Sequence, residues 1–121
     1  MAPRSLVVKV TAGKGDPERC NQGFTVAATA VASGISTSLW LTGESSWFAL
    51  PGRAEEFTLA DSPPLADLLT AVLAAGTVTL CSQCAARRDI TPDDVLPGIR
   101  IAGASTFVSE VTTEGVQALV Y

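Results

Sequence analysis

The chain has 121 residues, of which 47% are hydrophobic and 17% charged, with a net charge of −4, and a chain of this length suits a single domain over residues 1–121. The acidic balance and the absence of a basic stripe argue against nucleic-acid binding, and no apolar run reaches the roughly 18 residues that a membrane span requires. Histidine is absent from the sequence, which excludes Ser-His-Asp and Cys-His catalytic sites.

Strands and helices alternate along the chain. Short runs rich in β-branched residues predict five strands, at 6–10, 35–42, 78–80, 99–101 and 116–120. Apolar residues at helical spacing and residues typical of helix ends predict helices at 16–33, 45–50, 63–76, 82–88 and 104–113, with a shorter turn of helix at 91–94. Alternating elements with short links predict an α/β fold whose sheet is mostly parallel, with helices on both faces.

Particular residues of the first and last helices carry specific expectations. Asp16 is predicted to be the N-cap of the first helix, with Pro17 as its first helical residue. In the last helix, Phe107, Val108 and Val111 are predicted to face inward because their spacing places them on one side.

The amino-terminal sequence and the cysteine content indicate the cellular compartment of the protein and the kind of chemistry its thiols can perform. The amino-terminal residues lack the apolar core of a signal peptide, so we expect a cytoplasmic protein. In that compartment three cysteines favour thiol, metal or redox chemistry over structural disulfides. The high apolar fraction also suits a subunit that buries surface against other copies, which predicts a homo-oligomer.

The sharpest feature is the segment 77–88, in which a central strand runs directly into a helix. Cys81 falls at the junction, near the helix N-cap, and Cys84 lies one turn further on, so we predict that Cys81 is the more exposed of the two. A helix N-terminus favours an anion, so we predict that Cys81 is presented as a nucleophilic thiolate, with Arg87 and Arg88 adding positive potential nearby. Because ligands collect at the carboxyl edge of open α/β sheets, the sequence predicts a catalytic site here, formed by Cys81 and Cys84.

Other interpretations of the cysteines stay open. Cys84 either resolves a disulfide with Cys81 or only supports it, and both residues could instead be small buried hydrophobes. A zinc site would need Cys20 as third ligand and a carboxylate as fourth. We favour packing of Cys20 in the core, although its position would also let it approach Cys81. The sequence predicts neither a metal nor a cofactor.

Several neighbours are expected to surround this site. The loop at 13–15 lacks the spacing of a phosphate loop and is predicted to border the cysteine pocket. Trp40 is predicted to lie in the core. Trp47 and Phe48 are predicted at the functional edge, where they wall a pocket or an oligomer contact, with core or interface packing favoured over substrate stacking. Glu44 either caps the helix that follows it, which is the more usual role, or lies near the thiol.

The motif around Cys81 is also typical of a known family. Cys81 is followed, after five residues, by Arg87, Arg88 and an acidic turn. A Leu-Val-Val-Lys-Val strand, an Asp-Pro-Glu-Arg helix start and a Leu-Trp-Leu-Thr-Gly-Glu strand end accompany it. In these features, which cover nearly the whole chain, the sequence resembles the DsrE/DsrF/TusD-like (DsrEFH) sulfur-relay family. Asp89 stands where that family usually has glycine, and Cys84 matches a CxxC-bearing DsrE-like subgroup sometimes labelled peroxiredoxin-like.

The resemblance implies a fold, an assembly and a chemistry. It implies three α/β/α layers around a five-stranded parallel sheet, and homo- or hetero-oligomers that are often trimers or hexamers. It also implies that Cys81 carries sulfane sulfur as a persulfide, with sulfur donor and acceptor proteins as partners.

Three functions therefore stay open at this point. The chain could be a sulfur carrier or sulfurtransferase that works through a Cys81 persulfide. It could be a redox protein that cycles Cys81 and Cys84 between dithiol and disulfide. It could also be a non-catalytic oligomeric binding subunit whose cysteines are structural.

Overall fold

A computed structural model describes residues 4–121 and contains a five-stranded sheet in which every pairing is parallel. The strand order is β4-β3-β2-β1-β5, which confirms the predicted five-stranded parallel sheet. Residues 1–3, part of the stretch examined for a signal peptide, lie outside the described residues. The strands are β1 Ser5–Val10, β2 Ser36–Leu41, β3 Thr77–Cys81, β4 Ile99–Ala102 and β5 Val116–Val120.

The helices connect successive strands. Gly34, with φ of +78°, follows the first of them and ends it in a conformation that favours glycine. No helix within residues 4–121 combines the length and apolar character needed to cross a bilayer. The α-helices are α1 Pro17–Ala32, α2 Leu65–Ala75, α3 Ser82–Arg87 and α4 Ala104–Val111, and 3-10 helices cover Gly43–Ala49, Ala54–Glu56 and Pro92–Asp94.

The main core lies between one face of the sheet and the helices α1 and α2. Phe24 of α1 and Val72 of α2 are fully buried there, with β-branched and leucine side chains from the strands beneath them. Phe24 also meets Phe48 edge to face, with ring centroids 5.9 Å apart. This packing holds the end of β2 and the 3-10 helix that follows it in a fixed position over the sheet.

The opposite face of the sheet is covered by α4 and carries a more polar cluster. Trp40 is buried, as predicted, and packs edge to face against Phe107 at 5.3 Å. Its indole Nε1 donates to Glu110 at 3.1 Å, and the hydroxyl of Ser38 donates to the same carboxylate oxygen at 2.7 Å. Arg100 pairs with the other oxygen of Glu110. Glu110 therefore gathers three donors from the sheet beneath α4.

One expectation about the helices is confirmed in position and another is wrong. Asp16 is the N-cap of α1 as predicted, although its side chain makes no capping hydrogen bond and instead pairs with Arg19 at 3.4 Å. Val108 is 55% exposed rather than turned inward. The physical reason is that the neighbours of this short helix leave it partly uncovered, since none of its residues is fully buried. Phe107 does face the sheet, through its contact with Trp40.

Candidate functional site

The two cysteines lie where the sequence places them, at the junction of a strand and a helix. Cys81 ends β3 and is the N-cap of α3, with extended backbone angles, and Cys84 lies in the first turn of that helix. One correction applies to the strand. The central strand of the sheet is β2, and β3 lies between β2 and β4. Both cysteines, like Cys20, are free thiols.

The two thiols differ in exposure. Cys81 is half-buried, whereas Cys84 is only 9% exposed, so the prediction that Cys81 is the more accessible of the pair is confirmed. The Cys81 thiol also helps to lower the pKa of Cys84. An external reagent therefore reaches the pair through Cys81.

The sulfur of Cys84 is held by the backbone of the neighbouring strand end. The N–H of Gly43, just beyond β2, donates to Cys84 Sγ at 3.3 Å. In the sheet, Leu41 lies opposite Leu80, so the residues that follow these two strands meet at one edge. Gly43 has φ of +52°, and a Cβ there would lie 2.7 Å from the carbonyl oxygen of Thr11. Glycine is thus the residue this donor position requires.

The surroundings of Cys84 favour its thiolate. Burial alone would raise the pKa of Cys84, but four groups act against it and the net pKa is lowered. They are, in decreasing order, the Gly43 N–H, the Cys81 thiol, the charge of Arg88 and the hydroxyl of Ser46. The Ser46 hydroxyl is fully buried and has no hydrogen-bond partner of standard geometry within residues 4–121. An anionic sulfur at Cys84 would supply the acceptor that this hydroxyl lacks.

Arg88 connects the cysteine helix to the end of β2. Its Nη1 donates to the carbonyl oxygen of Cys84 at 3.2 Å, and its Nη2 donates to Glu44 Oε2 at 2.8 Å. The same oxygen accepts from the indole Nε1 of Trp47 at 3.2 Å. The hydrogen bond from Arg88 is the main cause of the lowered pKa of Glu44. Of the two arginines predicted to add positive potential, Arg88 makes this contact and Arg87 is exposed.

Of the two roles predicted for Glu44, the structure supports the less usual one, a position near the thiol. The helix start after β2 is capped by Thr42 and Ser45, which exchange hydrogen bonds in a capping box. Glu44 instead lies beside the thiol site, through its contact with Arg88. The predicted capping role of Glu44 is therefore wrong.

The loop at 13–15 borders this region, as predicted. A Cβ on Gly13 would lie 2.8 Å from Cβ of Glu44, so the loop backbone packs directly on that residue. The positive charge of Lys14 contributes to the lowered pKa of Glu44, after the larger contribution of Arg88. The loop thus forms one wall of the site.

A cleft opens next to the arginine and glutamate pair. Its volume is about 340 Å³, and the guanidinium of Arg53 lies 4.8 Å from the ring centroid of Trp47 within it. A larger depression of about 640 Å³ lies near Thr11 and Tyr121, and neither cavity is lined by a cysteine. Trp47 and Phe48 both line the smaller cleft, and Phe48 also belongs to the main core. The residues lining the cleft include Lys14, Glu44, Trp47, Phe48, Arg53 and Phe57.

Cys20 differs from the other two cysteines in that it is completely buried. It has no exposed surface and belongs to the main core, as favoured from the sequence. Burial, with a smaller contribution from the carboxylate of Asp16, raises the pKa of Cys20 to about 12. Within residues 4–121 no group of three or more cysteines and carboxylates is placed to hold a metal ion. Cys20 therefore does not join Cys81 and Cys84 in a ligand set.

Sequence reasoning missed two contributors to the site, Gly43 and Ser46. Gly43 was recognised only as the end of a strand, and its N–H as a donor to Cys84 was not foreseen. The signal that could have revealed it is the rule that the carboxyl ends of adjacent parallel strands share an edge. Ser46 carries no signal of its own, because a serine in a short helix start is commonplace.

Comparison with known sequences is consistent with this architecture. A model of the DsrE/DsrF-like family matches residues 4–119. A relative, the uncharacterized protein MJ0760 of Methanocaldococcus jannaschii, is 27% identical over 113 residues, which cover 93% of this chain and 41% of that protein. The chain thus spans about two fifths of the length of this curated relative.

Solved structures share the fold. The ychN protein from E. coli superposes with a TM-score of 0.79 at 17% identity, covering 99% of this chain and 100% of that one. MTH1491 from Methanobacterium thermoautotrophicum, a protein of unknown function, gives a TM-score of 0.68 at 10% identity, covering 99% and 100%. At such identities these similarities show the fold, and they confirm the predicted α/β class.

Proposed function

Because the chain belongs to the DsrE/DsrF-like family, we propose that it is a sulfur carrier that holds sulfane sulfur as a persulfide on Cys81. The observation that carries the proposal is the placement of Cys81. Its half-buried thiol stands at the junction of β3 and α3, at the carboxyl edge of the sheet and outside the main core. That placement leaves the sulfur reachable by a donor molecule while its backbone is fixed by the sheet.

The transfer has two steps that balance. The Cys81 thiolate attacks the outer sulfur of a donor persulfide, and the donor leaves as a thiolate, so that Cys81 gains one sulfur atom. An acceptor thiolate then attacks that outer sulfur and releases the Cys81 thiolate again. In each step a neutral sulfur atom is transferred and the departing thiolate keeps the electron pair of the bond that breaks, so no external oxidant or reductant is needed.

The charged neighbours support this chemistry. Arg88, which is held by Glu44 and by the carbonyl of Cys84, places a positive charge close to the cysteine pair. A persulfide is more acidic than a thiol and is an anion at neutral pH, so a nearby positive charge stabilises it. The adjacent cleft at Trp47 offers room for part of a donor or acceptor.

The proposal is tested by loading a variant that carries Cys84→Ser, which leaves Cys81 as the only accessible thiol of the pair. Incubation with a small-molecule hydropersulfide should add the mass of one sulfur atom, and a thiol reductant should remove it. The double variant Cys81→Ser, Cys84→Ser should gain no sulfur, whereas a Cys20→Ala, Cys84→Ser control should load normally. Equal loading of the chain that lacks Cys81 would overturn the proposal.

A second candidate function is dithiol–disulfide exchange between Cys81 and Cys84. The observation that favours it is the offset of three residues between the two free thiols at the start of α3. In a redox titration followed by alkylation and mass spectrometry, this function requires both cysteines to oxidise together at a single potential. Full function of a Cys81→Ala, Cys84→Ala chain would instead favour a binding subunit with structural cysteines.

An assembly of several copies is part of the proposal. Its support is the apolar surface that α4 and β5 leave uncovered, where Val108 is 55% and Val120 is 64% exposed. β5 is also the end strand of the sheet within residues 4–121. Gel filtration with light scattering should give a trimer or hexamer, and a monomer at micromolar concentration would contradict this. A cytoplasmic site of action, with sulfur donor and acceptor proteins as partners, completes the proposal.

A further inference from the structure

We propose that Cys84 resolves the Cys81 persulfide: the Cys84 thiolate attacks the inner sulfur, hydrosulfide leaves, and a Cys81–Cys84 disulfide remains. This inference rests on the proposed loading of Cys81 and gives the protein a further activity, the release of hydrosulfide. The partner class is correspondingly a dithiol reductant, which would restore the two thiols.

The first support is the position of the two sulfurs. Cys81 is the N-cap of α3 and Cys84 lies three residues further on, and residues three apart on a helix are surface neighbours. Both cysteines are free thiols, and the Cys81 side chain is among the groups that act on the Cys84 sulfur. At a helical offset of three residues the two backbones lie within the span that a disulfide bridges.

The second support is the difference in burial between the two cysteines. Cys84 is only 9% exposed, whereas Cys81 is half-buried. An external donor or acceptor meets Cys81 first, while a thiolate at Cys84 has Cys81 as its neighbour within the protein. A nucleophile in this position serves an internal attack better than an external one.

The third support is the set of donors that faces Cys84. The Gly43 N–H lies 3.3 Å from its sulfur, and glycine is required there by the backbone angle and by the carbonyl of Thr11. The buried Ser46 hydroxyl has no hydrogen-bond partner of standard geometry within the described chain, a costly state unless the sulfur accepts from it as an anion. These two groups favour an ionised Cys84, which is the form that attacks a persulfide.

The step balances without an external oxidant. A new bond forms between the sulfurs of Cys84 and Cys81 as the bond between the two persulfide sulfurs breaks. The leaving sulfur takes the electron pair of that bond and, with one proton carried by the persulfide or taken from water, departs as hydrosulfide. The outer sulfur is thereby reduced and the sulfur of Cys84 is oxidised, while the sulfur of Cys81 keeps its oxidation state. Attack on the outer sulfur would only move the persulfide to Cys84 and would release nothing, so the two courses give different products.

A single-turnover experiment on the full chain tests the inference. The reduced protein is loaded with a small-molecule hydropersulfide, the excess is removed rapidly, and no reductant is added. We expect hydrosulfide and protein disulfide to appear in equimolar amounts, with the chain becoming two hydrogens lighter than its reduced form. Peptide mapping should place the disulfide between Cys81 and Cys84. The Cys20→Ala control should behave in the same way.

Variants of Cys84 separate this inference from the proposed function. Cys84→Ser and, as a second variant, Cys84→Ala should retain the persulfide and release no hydrosulfide. If these variants load but the parent chain keeps its persulfide equally long, or passes it to Cys84 without releasing hydrosulfide, the inference is overturned while the carrier function stands. If neither variant loads at Cys81, the carrier function fails and the inference fails with it.

A further variant tests the contribution of the buried Ser46 hydroxyl. Measured from protein already loaded at Cys81, Ser46→Ala should slow hydrosulfide release about fivefold relative to the parent chain, the effect of losing one ordinary hydrogen bond. An unchanged release rate would contradict the assignment of Ser46 as a positioning residue for Cys84.

Discussion

The backbone N–H of Gly43 donates to the sulfur of Cys84 at 3.3 Å, which joins the end of β2 to the helix that follows β3. The two residues are 41 positions apart in the sequence and meet because their strands are neighbours in the sheet. Through this contact a backbone amide helps to lower the pKa of a buried thiol. The chemistry of the cysteine pair thus depends on how precisely two strand ends are held together.

The first prediction concerns the backbone at Gly43. Gly43→Ala should lower the free energy of unfolding by about 1–3 kcal/mol through strain at φ of +52°, with a further loss from the contact of Cβ with the carbonyl of Thr11. The matched control is Gly52→Ala, where φ is +81° and no atom lies within 4 Å of the added carbon. Urea titration of both variants should show a larger loss for Gly43. Equal losses would mean that the contact with Thr11 costs nothing.

The second prediction concerns the two adjacent arginines. In a Cys81→Ser background, Arg88→Gln should raise the pKa of Cys84, because it removes the positive charge that helps to lower it. Arg87→Gln removes the same charge from an exposed neighbour and should change the pKa of Cys84 less. The ultraviolet absorbance of the thiolate, followed against pH, measures both. The charge interaction is contradicted if the two variants titrate alike.

The third prediction concerns the pH dependence of stability. The folded protein lowers the pKa of Cys84 below that of an unfolded thiol, about 8.5, so folding favours the thiolate. The stabilising contribution is complete above the unfolded pKa and is lost as the pH falls through the folded pKa. The stability difference between the parent chain and Cys84→Ala should therefore grow in favour of the parent as the pH rises towards 8.5. A constant difference over this range, in denaturant titrations, would contradict the lowered pKa.

The fold could be predicted because the sequence patterns that indicate its strands and helices are local and repeated. Five β-branched runs, separated by helices with short links, restrict the chain to a parallel sheet. The error at Val108 arose because spacing identifies one side of a helix but not how much of that side its neighbours cover. On α4, which has no fully buried residue, the coverage is incomplete. Asp16 takes the predicted N-cap position, but its carboxylate pairs with Arg19 and makes no capping hydrogen bond.

The candidate site was predictable only in part. Cys81 and Cys84 carry a local signal, since a strand that runs into a helix is visible in the sequence, and their relative exposure followed from it. The donor groups of Gly43 and Ser46 belong to the segment that follows another strand, β2. Their position at Cys84 therefore depends on the strand order and on side-chain orientation. The lowered pKa of Cys84 depends on those donors. Local spacing therefore pointed to Cys81, while the surrounding groups lower the pKa of Cys84.

The fourth prediction concerns the reactivity of the three cysteines. Burial raises the pKa of Cys20 to about 12, and this residue has no exposed surface. An alkylating reagent at pH 8 should therefore modify Cys81 first and leave Cys20 unmodified in the folded protein. Peptide mapping after increasing exposure times measures the order, and the same reaction in concentrated denaturant should label all three cysteines. Early labelling of Cys20 without denaturant would contradict its place in the core.

The fifth prediction concerns Glu110, which accepts hydrogen bonds from Ser38 and Trp40 and pairs with Arg100 beneath α4. Glu110→Ala would leave the buried indole N–H of Trp40 and the hydroxyl of Ser38 without their acceptor. We expect the free energy of unfolding to fall by about 2–4 kcal/mol, since each unsatisfied buried group costs roughly 1–3 kcal/mol. Urea titration measures this loss.

The matched control for that variant is Glu114→Ala, in which the same side chain is removed from an exposed position just before β5. Its stability should change by less than about 0.5 kcal/mol. The two variants lose the same charge and the same atoms, so their difference reports the donors gathered by Glu110. Persulfide loading of Cys81 should be unaffected by Glu110→Ala at a temperature where the variant stays folded, because the partners of Glu110 are Ser38, Trp40 and Arg100 and not the cysteine pair. A small stability loss for Glu110→Ala, similar to that of the control, would show that these donors find other acceptors and that α4 is held mainly by the contact of Phe107 with Trp40.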